Sequence, residues 1–287
     1  MVRIIQQTIF IIVLILFLAG LPSLISINSM DQSISFDYKI LPDVYKNFYK
    51  EVSNGSLGTY YLGLQQREIS EDIGDNFKTS LLIMLVGVNT SVILSLIFGI
   101  FISRFRLTRI VNMILNVLAA IPDFIIIIFS LILAIKVYKM TGVRIISLRP
   151  DAGALNIWFP MLLVGVAPTL YLFKLVAVKY YQTSGEDYIR TAVAKGLRLN
   201  YINFQHVYKN IEPFIKAELT KIISLAIGNM FIVEYLLNVS GITKFIFLSK
   251  QIQPISIGLF SMLLISLLVY LSVRIVLYVF KRGFLYE

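Results

Sequence analysis

The chain has 287 residues, of which 57% are hydrophobic and only 15% charged, with a mean hydropathy of +0.81. That balance is too apolar for a soluble domain of this length and makes lipid the main solvent. The formal charge of +10 does not point to nucleic acid, because Lys and Arg sit in short loops beside apolar runs instead of forming one patch. With no cysteine and a single histidine, His206, disulfides, thiolate sites, a lipoprotein anchor and multi-His metal sites are excluded.

Six runs approach the ~20 apolar residues needed to cross a hydrocarbon core about 30 Å thick. The first, Thr8 to Ile27, is too long for a signal peptide and lacks a small-residue cleavage site, so a retained helix is expected within residues 1–28. Residues 29–78 follow as a polar, tyrosine-bearing segment expected on the extracytoplasmic side, read either as a few short elements packed on the membrane domain or as a partly ordered linker. The second and third spans are read as Thr79 to Ser103 and Ile110 to Ile135, the latter with Asp123 inside it. The fourth runs from Ile157 to Phe173, the fifth from Pro213 to Val239 and the sixth from Ile255 to Phe280. Residues 79–287 thus read as a five-helix core, and the whole as an all-α polytopic membrane protein. Arg104, Arg106 and Arg109, the basic residues of the loop after the fourth span, and Lys281 with Arg282 fall on one side. By the positive-inside rule that side is the cytoplasm, with both termini on it. Lys136, Lys139, Arg144 and Arg149 run against the trend.

Between the fourth and fifth spans, residues 183–212 carry start and stop signals for two helices. Ser184 reads as an N-cap with Asp187 three residues on, Glu186 and Asp187 fall in the first turn, and Lys195 with Gly196 closes the last. Asn200 reads as a second N-cap. Phe204, Val207, Tyr208 and Ile211 then recur at helical spacing, and the second amphipathic helix is expected to end at Pro213.

This constellation resembles the cytoplasmic "EAA" loop of ATP-binding cassette importer permeases, in the form carried by the dipeptide, oligopeptide and nickel permease family. Asp187-Tyr188, Arg190-Thr191-Ala192, Ala194-Lys195-Gly196-Leu197, His206, Asn210 and Pro213 stand at that family's spacing. The likeness extends to Ile121-Pro122-Asp123-Phe124, to Pro160 through Gly165, and to the stretch from Phe231 to Gly241 that holds Glu234. The family's Gly-Asp-Pro after the first span is missing, and its C-terminal Asp-Pro-Arg reads Lys281-Arg282-Gly283, which marks a divergent member. The resemblance implies a type I permease fold in a bacterial cytoplasmic membrane. It implies a second, homologous permease subunit, two ATPase subunits that bind ATP and Mg, and an extracytoplasmic substrate-binding protein. The loop residues from Glu186 to Leu197, with His206, Asn210 and Pro213, would dock on an ATPase, and the cargo would be a peptide or a nickel or other metal chelate.

No Walker sequence, HExxH run or nucleophile with its base is present, so neither ATP hydrolysis nor intramembrane catalysis is expected of this chain, and no cofactor. Asp123 and Glu234 are candidates for a transport pathway, because a charge at membrane depth is costly and is retained facing a cavity or partner; the alternative readings are a helix break after Pro122 for Asp123 and a place near the outer interface for Glu234. Arg274 is expected to snorkel. Two other readings stay open at this stage: a secondary transporter using Asp123 and Glu234 for coupling ions, and a non-transporting scaffold or sensor derived from a permease.

Overall fold

The computed structural model describes residues 2–28, 33–36, 38–62, 64–102, 113–114, 116–118 and 120–284. The described residues are mostly helical, with two short hairpins among them, and six of the described helices are long and apolar enough to cross a membrane. It divides into two compact units, residues Met1–Ser80 with Ser240–Ile265 and residues Leu81–Val239 with Ser266–Glu287.

In the first unit, α1 (Val2–Gly20) is the first span. A 3-10 turn at Leu21–Leu24 and an antiparallel hairpin of β1 (Ile25–Asn28) and β2 (Ser33–Phe36) follow. Helix α2 (Ile40–Ser53) is amphipathic and docks on the end of α1. The Tyr45 hydroxyl donates to the Leu16 carbonyl at 3.1 Å, and its ring lies against Gly20, where any side chain would collide with it. A second hairpin, β3 (Thr59–Leu62) with β4 (Gln65–Glu68), leads into α3 (Ile69–Ile102). Tyr60, Ile69 and Phe245 form a small core with Ile73 and Ile257. The Tyr60 hydroxyl donates to Asp72 at 2.7 Å, and Arg67 pairs with the same carboxylate at 3.1 Å. Burial first, and then the Asp72 carboxylate, push the Tyr60 hydroxyl up to about 12, so it remains a donor at physiological pH.

Helix α3 begins ten residues before the expected Thr79. Glu71 and Asp72 in the first turn favour a helix N-terminus, so the span carries a polar overhang. The third span also moves. Pro122 bars Ile121 from helical backbone, and α4 runs Asp123–Thr141, ending at Gly142 with φ +70°. Asp123 therefore starts the helix instead of lying inside it, and Lys136 and Lys139 belong to the span. Arg104, Arg106, Arg109 and Ile110, on which part of the sidedness argument rests, lie outside the described residues.

The second unit is organised around the contact of α3 with α5 (Ala154–Ser184), which overruns the expected fourth span at both ends despite Pro160 and Pro168. Gly87, Ser91, Ser95 and Gly99 recur every four residues along α3 and form a seam of small groups. A Cβ on Gly87 would stand 2.7 Å from the Met161 carbonyl, and one on Gly165 would stand 2.7 Å from Ser91 Oγ. The helices consequently touch backbone to backbone. Ser91 donates to the Gly165 carbonyl at 2.8 Å and Ser95 to the Thr169 carbonyl at 3.1 Å. Gly165 is thus a site of close approach, whereas Gly228 in α8 has nothing within 4 Å of its Cβ position.

Helix α8 (Leu219–Leu236) lays Ile222, Ala226, Asn229, Met230 and Val233 inward at helical spacing and packs on α5. It starts six residues after the expected Pro213, because the chain breaks at Glu218, not at the proline. The chain closes with α9 (Ile242–Phe247) and the last span, α10 (Ile252–Phe284).

Candidate functional site

The loop after α5 contains the two expected helices with altered boundaries. Helix α6 runs Asp187–Ala194 with Glu186 as N-cap and no side-chain capping bond. Ser184 is the last residue of α5 and donates to the Tyr181 carbonyl at 3.1 Å, so it is not the cap. The C-terminal signal holds as read. Gly196 has φ +75°, its N–H bonds to the Val193 carbonyl at 2.9 Å and the Leu197 N–H to the Ala192 carbonyl at 3.3 Å, the pair of bonds that defines a Schellman stop. The Asp187 carboxylate makes a long, exposed contact with Arg190 at 3.5 Å, worth little in water.

Helix α6 has two distinct sides. Ile189 and Ala192 are buried, while Tyr188, Val193 and Leu197 are 44%, 52% and 38% exposed, with Arg190, Thr191, Ala194 and Lys195 also exposed. The inner side rests on the next segment, which turns helical at Leu199–Tyr201 and is π-helical over Ile202–Tyr208 before α7 (Lys209–Ala217). Asn200 is thus inside a helical turn and Arg198 caps it. The π segment was not legible, since apolar spacing alone does not separate 3.6 from wider turns. Pro213 does not stop α7, where fully buried Ile211 and Ile215 hold the helix on either side of it.

Named contacts anchor this pair of helices. Asn210 Nδ2 donates to the Tyr188 hydroxyl at 3.0 Å and to the His206 carbonyl at 2.7 Å, tying α7 to α6. His206 packs edge-on to Tyr201, ring centroids 5.8 Å apart, which is a packing role. The Tyr180 hydroxyl donates to buried Asn203 Oδ1 at 3.0 Å, joining α5 to the π segment. On the other side Tyr208 meets Phe280 of α10 at 5.1 Å. Glu212, buried in α7, faces Lys281 of α10 at 3.9 Å and Lys216 one turn on; its Oε1 has the charge of Lys216 beside it without an aligned hydrogen bond. Burial, reinforced by the Glu212 charge, holds the Tyr208 hydroxyl well above the usual tyrosine range. Burial and then Glu186 raise Tyr188, so both stay neutral in the cell. Glu212, Asn203 and Tyr180 were missed as site residues; the Glu212–Lys216 spacing of four was their one sequence signal.

The two membrane-depth carboxylates occupy different settings. Asp123 is half-buried at the start of α4. Glu234 is fully buried in the last turns of α8, where its carbonyl accepts the Val239 N–H at 3.0 Å. Nearby, buried Asn156 donates to the carbonyls of Ser147 and Leu237 at 2.9 and 3.3 Å, so α8's end is fastened to α5 and to the connection before it. Arg274 is exposed and lies over the Tyr270 ring at 5.8 Å.

A family model described as binding-protein-dependent transport system inner membrane component matches residues 70–285, a stretch that takes in α3 to α10 and both helices of the loop. No curated protein matches the chain.

Proposed function

This chain belongs to the inner membrane components of binding-protein-dependent transport systems, and from that premise we propose that it is the permease subunit of an ATP-driven importer in which α6 docks on a partner ATPase. A multi-pass membrane permease component of a transporter follows from the family and the six spans. The finer reading rests on α6 itself. A helix of eight residues, sealed at its C-terminus and pinned on its inner side, that together with the stop after it nevertheless turns an aromatic and two aliphatic side chains to solvent has the makings of a protein contact.

In this reading α6 is the point of force transfer. Its inner side bears on the π segment, which Asn203 links to α5 and Tyr208 links to Phe280 of α10, and Glu212 of α7 adds a second tie to α10 through Lys281. Closure of an ATPase dimer would displace both spans together and open a pathway between this chain and a homologous second permease. The partner ATPases bind ATP and Mg and perform the hydrolysis, an extracytoplasmic binding protein delivers cargo, and the loop and both termini are cytoplasmic. Glu234, buried at membrane depth, and Asp123, at a span's end, are the pathway candidates. A peptide or a nickel or other metal chelate is the proposed cargo, supported by the spacing of the loop motif.

Purification of the chain from cells that express its gene neighbourhood tests the reading. ATPase subunits that copurify, and ATP hydrolysis in liposomes that rises with loaded binding protein, are the expected results. Uptake by the chain alone in liposomes, driven by an ion gradient without nucleotide, would establish a secondary transporter instead.

A further inference from the structure

A groove of about 480 Å³ opens within the first unit, walled by Ile12 and Leu16 of α1, Phe48 and Val52 of α2, and Ile257 and Phe260 of α10. Its volume is in the range of cavities that enclose small apolar ligands. Tyr49 and Ser261 bring the only side-chain hydroxyls among its lining residues, so water in it would lack the two to four polar partners that hold an internal water.

Three observations fix what it faces. Two walls are candidate membrane spans, whose outward solvent is hydrocarbon. The third wall, α2, carries an apolar stripe of Leu41, Val44, Tyr45, Phe48 and Val52 at helical spacing that is only partly covered: none of the five is buried and Val52 is exposed. Lys46 and Lys50 are exposed on the other side of the helix. The Tyr45 bond to Leu16 sets α2 at the end of the first span, the depth at which hydrocarbon gives way to headgroups and at which such helices lie. Both α1 and α2 precede residue 70, where the family match begins, so the groove is built largely from residues outside the shared core.

We propose that this groove holds an acyl chain of a bilayer phospholipid, which completes the apolar contact between α2 and the spans and seats α2 in the membrane interface. The inference rests on membrane insertion alone and is independent of the importer reading. The test uses the assembled protein in liposomes of phosphatidylethanolamine and phosphatidylglycerol doped with a phosphatidylcholine that carries a diazirine in one acyl chain. After irradiation, adducts mapped by mass spectrometry should concentrate on residues 48–57 and 257–264 relative to α4, which is also widely exposed. Ser261→Phe, which fills the groove, should lower the adducts on residues 48–57 about tenfold and leave those on α4 unchanged. Should that variant fail to assemble, Val52→Asp at an exposed position should give the same loss. Labelling of α2 no denser than that of α4, or insensitive to both variants, overturns the proposal. So does a Val52→Cys protein that a thiol crosslinker joins to a second polypeptide in the membrane, which would assign the groove to a protein neighbour. None of these outcomes depends on transport, so a failed importer reading would leave them unaffected.

Discussion

Between Gly87 and Gly99, α3 meets α5 through carbonyls, hydroxyls and absent side chains, whereas α6 keeps Tyr188, Val193 and Leu197 in solvent while burying only Ile189 and Ala192. The seam is satisfied within the chain: its polar groups are paired and no space remains. The loop is satisfied on one side only. Damage to the first should therefore appear as loss of folded protein, and damage to the second as loss of activity in protein that still assembles.

Gly87→Val should break the seam, because its Cβ would meet a backbone carbonyl at 2.7 Å that cannot rotate away. A cost of about 3 kcal/mol should cut the yield of monodisperse protein on gel filtration, while Gly228→Val, with open space at its Cβ, should change stability by less than about 0.5 kcal/mol. Equal losses from both would mean that close approach is not what the seam provides. Next in size, Glu212→Gln should loosen the loop from α10 by about 1–2 kcal/mol, since the carboxylate is buried but its two lysines are partly solvated. Hydrogen exchange should quicken across residues 199–217 and stay unchanged across 87–99.

Gly196→Val isolates the outward side. The residue has φ +75° and no atom within 4 Å of its Cβ position, so the cost is backbone strain of about 1–2 kcal/mol plus interference with anything that approaches there. Complex yield should hold while ATP-dependent uptake falls and binding-protein affinity for cargo stays the same; full uptake would take the loop out of the mechanism. Asp187→Ala should be mildest. Its carboxylate makes no capping bond and its one ion pair is exposed, so uptake should remain within about twofold of the unaltered protein.

The sequence carried the number of spans, the two loop helices and the Gly196 stop, because apolar length and a glycine at a left-handed position each have a single strong physical cause. Boundaries were less legible. Hydropathy puts Asp72 and Ser184 outside helices that include them, since the polarity that reads as loop in one setting reads as a favourable helix end in another. For Asp123 hydropathy and backbone chemistry point different ways, the first to a place within the span and the second to a helix break after Pro122, and the break is what forms. The seam was barely visible: Gly165 falls in a stretch that the family likeness marks, but Ser91 and Ser95 look like ordinary serines until the opposing carbonyls are in place. Glu212 passed unnoticed since its second partner, Lys281, is 69 positions away in the chain.

The seam also bears on how movement passes through the molecule. Ser184 and Gly165 lie nineteen residues apart on one helix, about 28 Å at helical rise, and at Gly165 that helix is joined to α3 by main-chain atoms and a serine bridge. Contacts between long side chains can absorb a small shift by changing rotamer; contacts between backbones have no such play. A displacement applied at the foot of α5 should arrive at Gly87 nearly undiminished, so the two helices behave as a single strut with no slack at its joint.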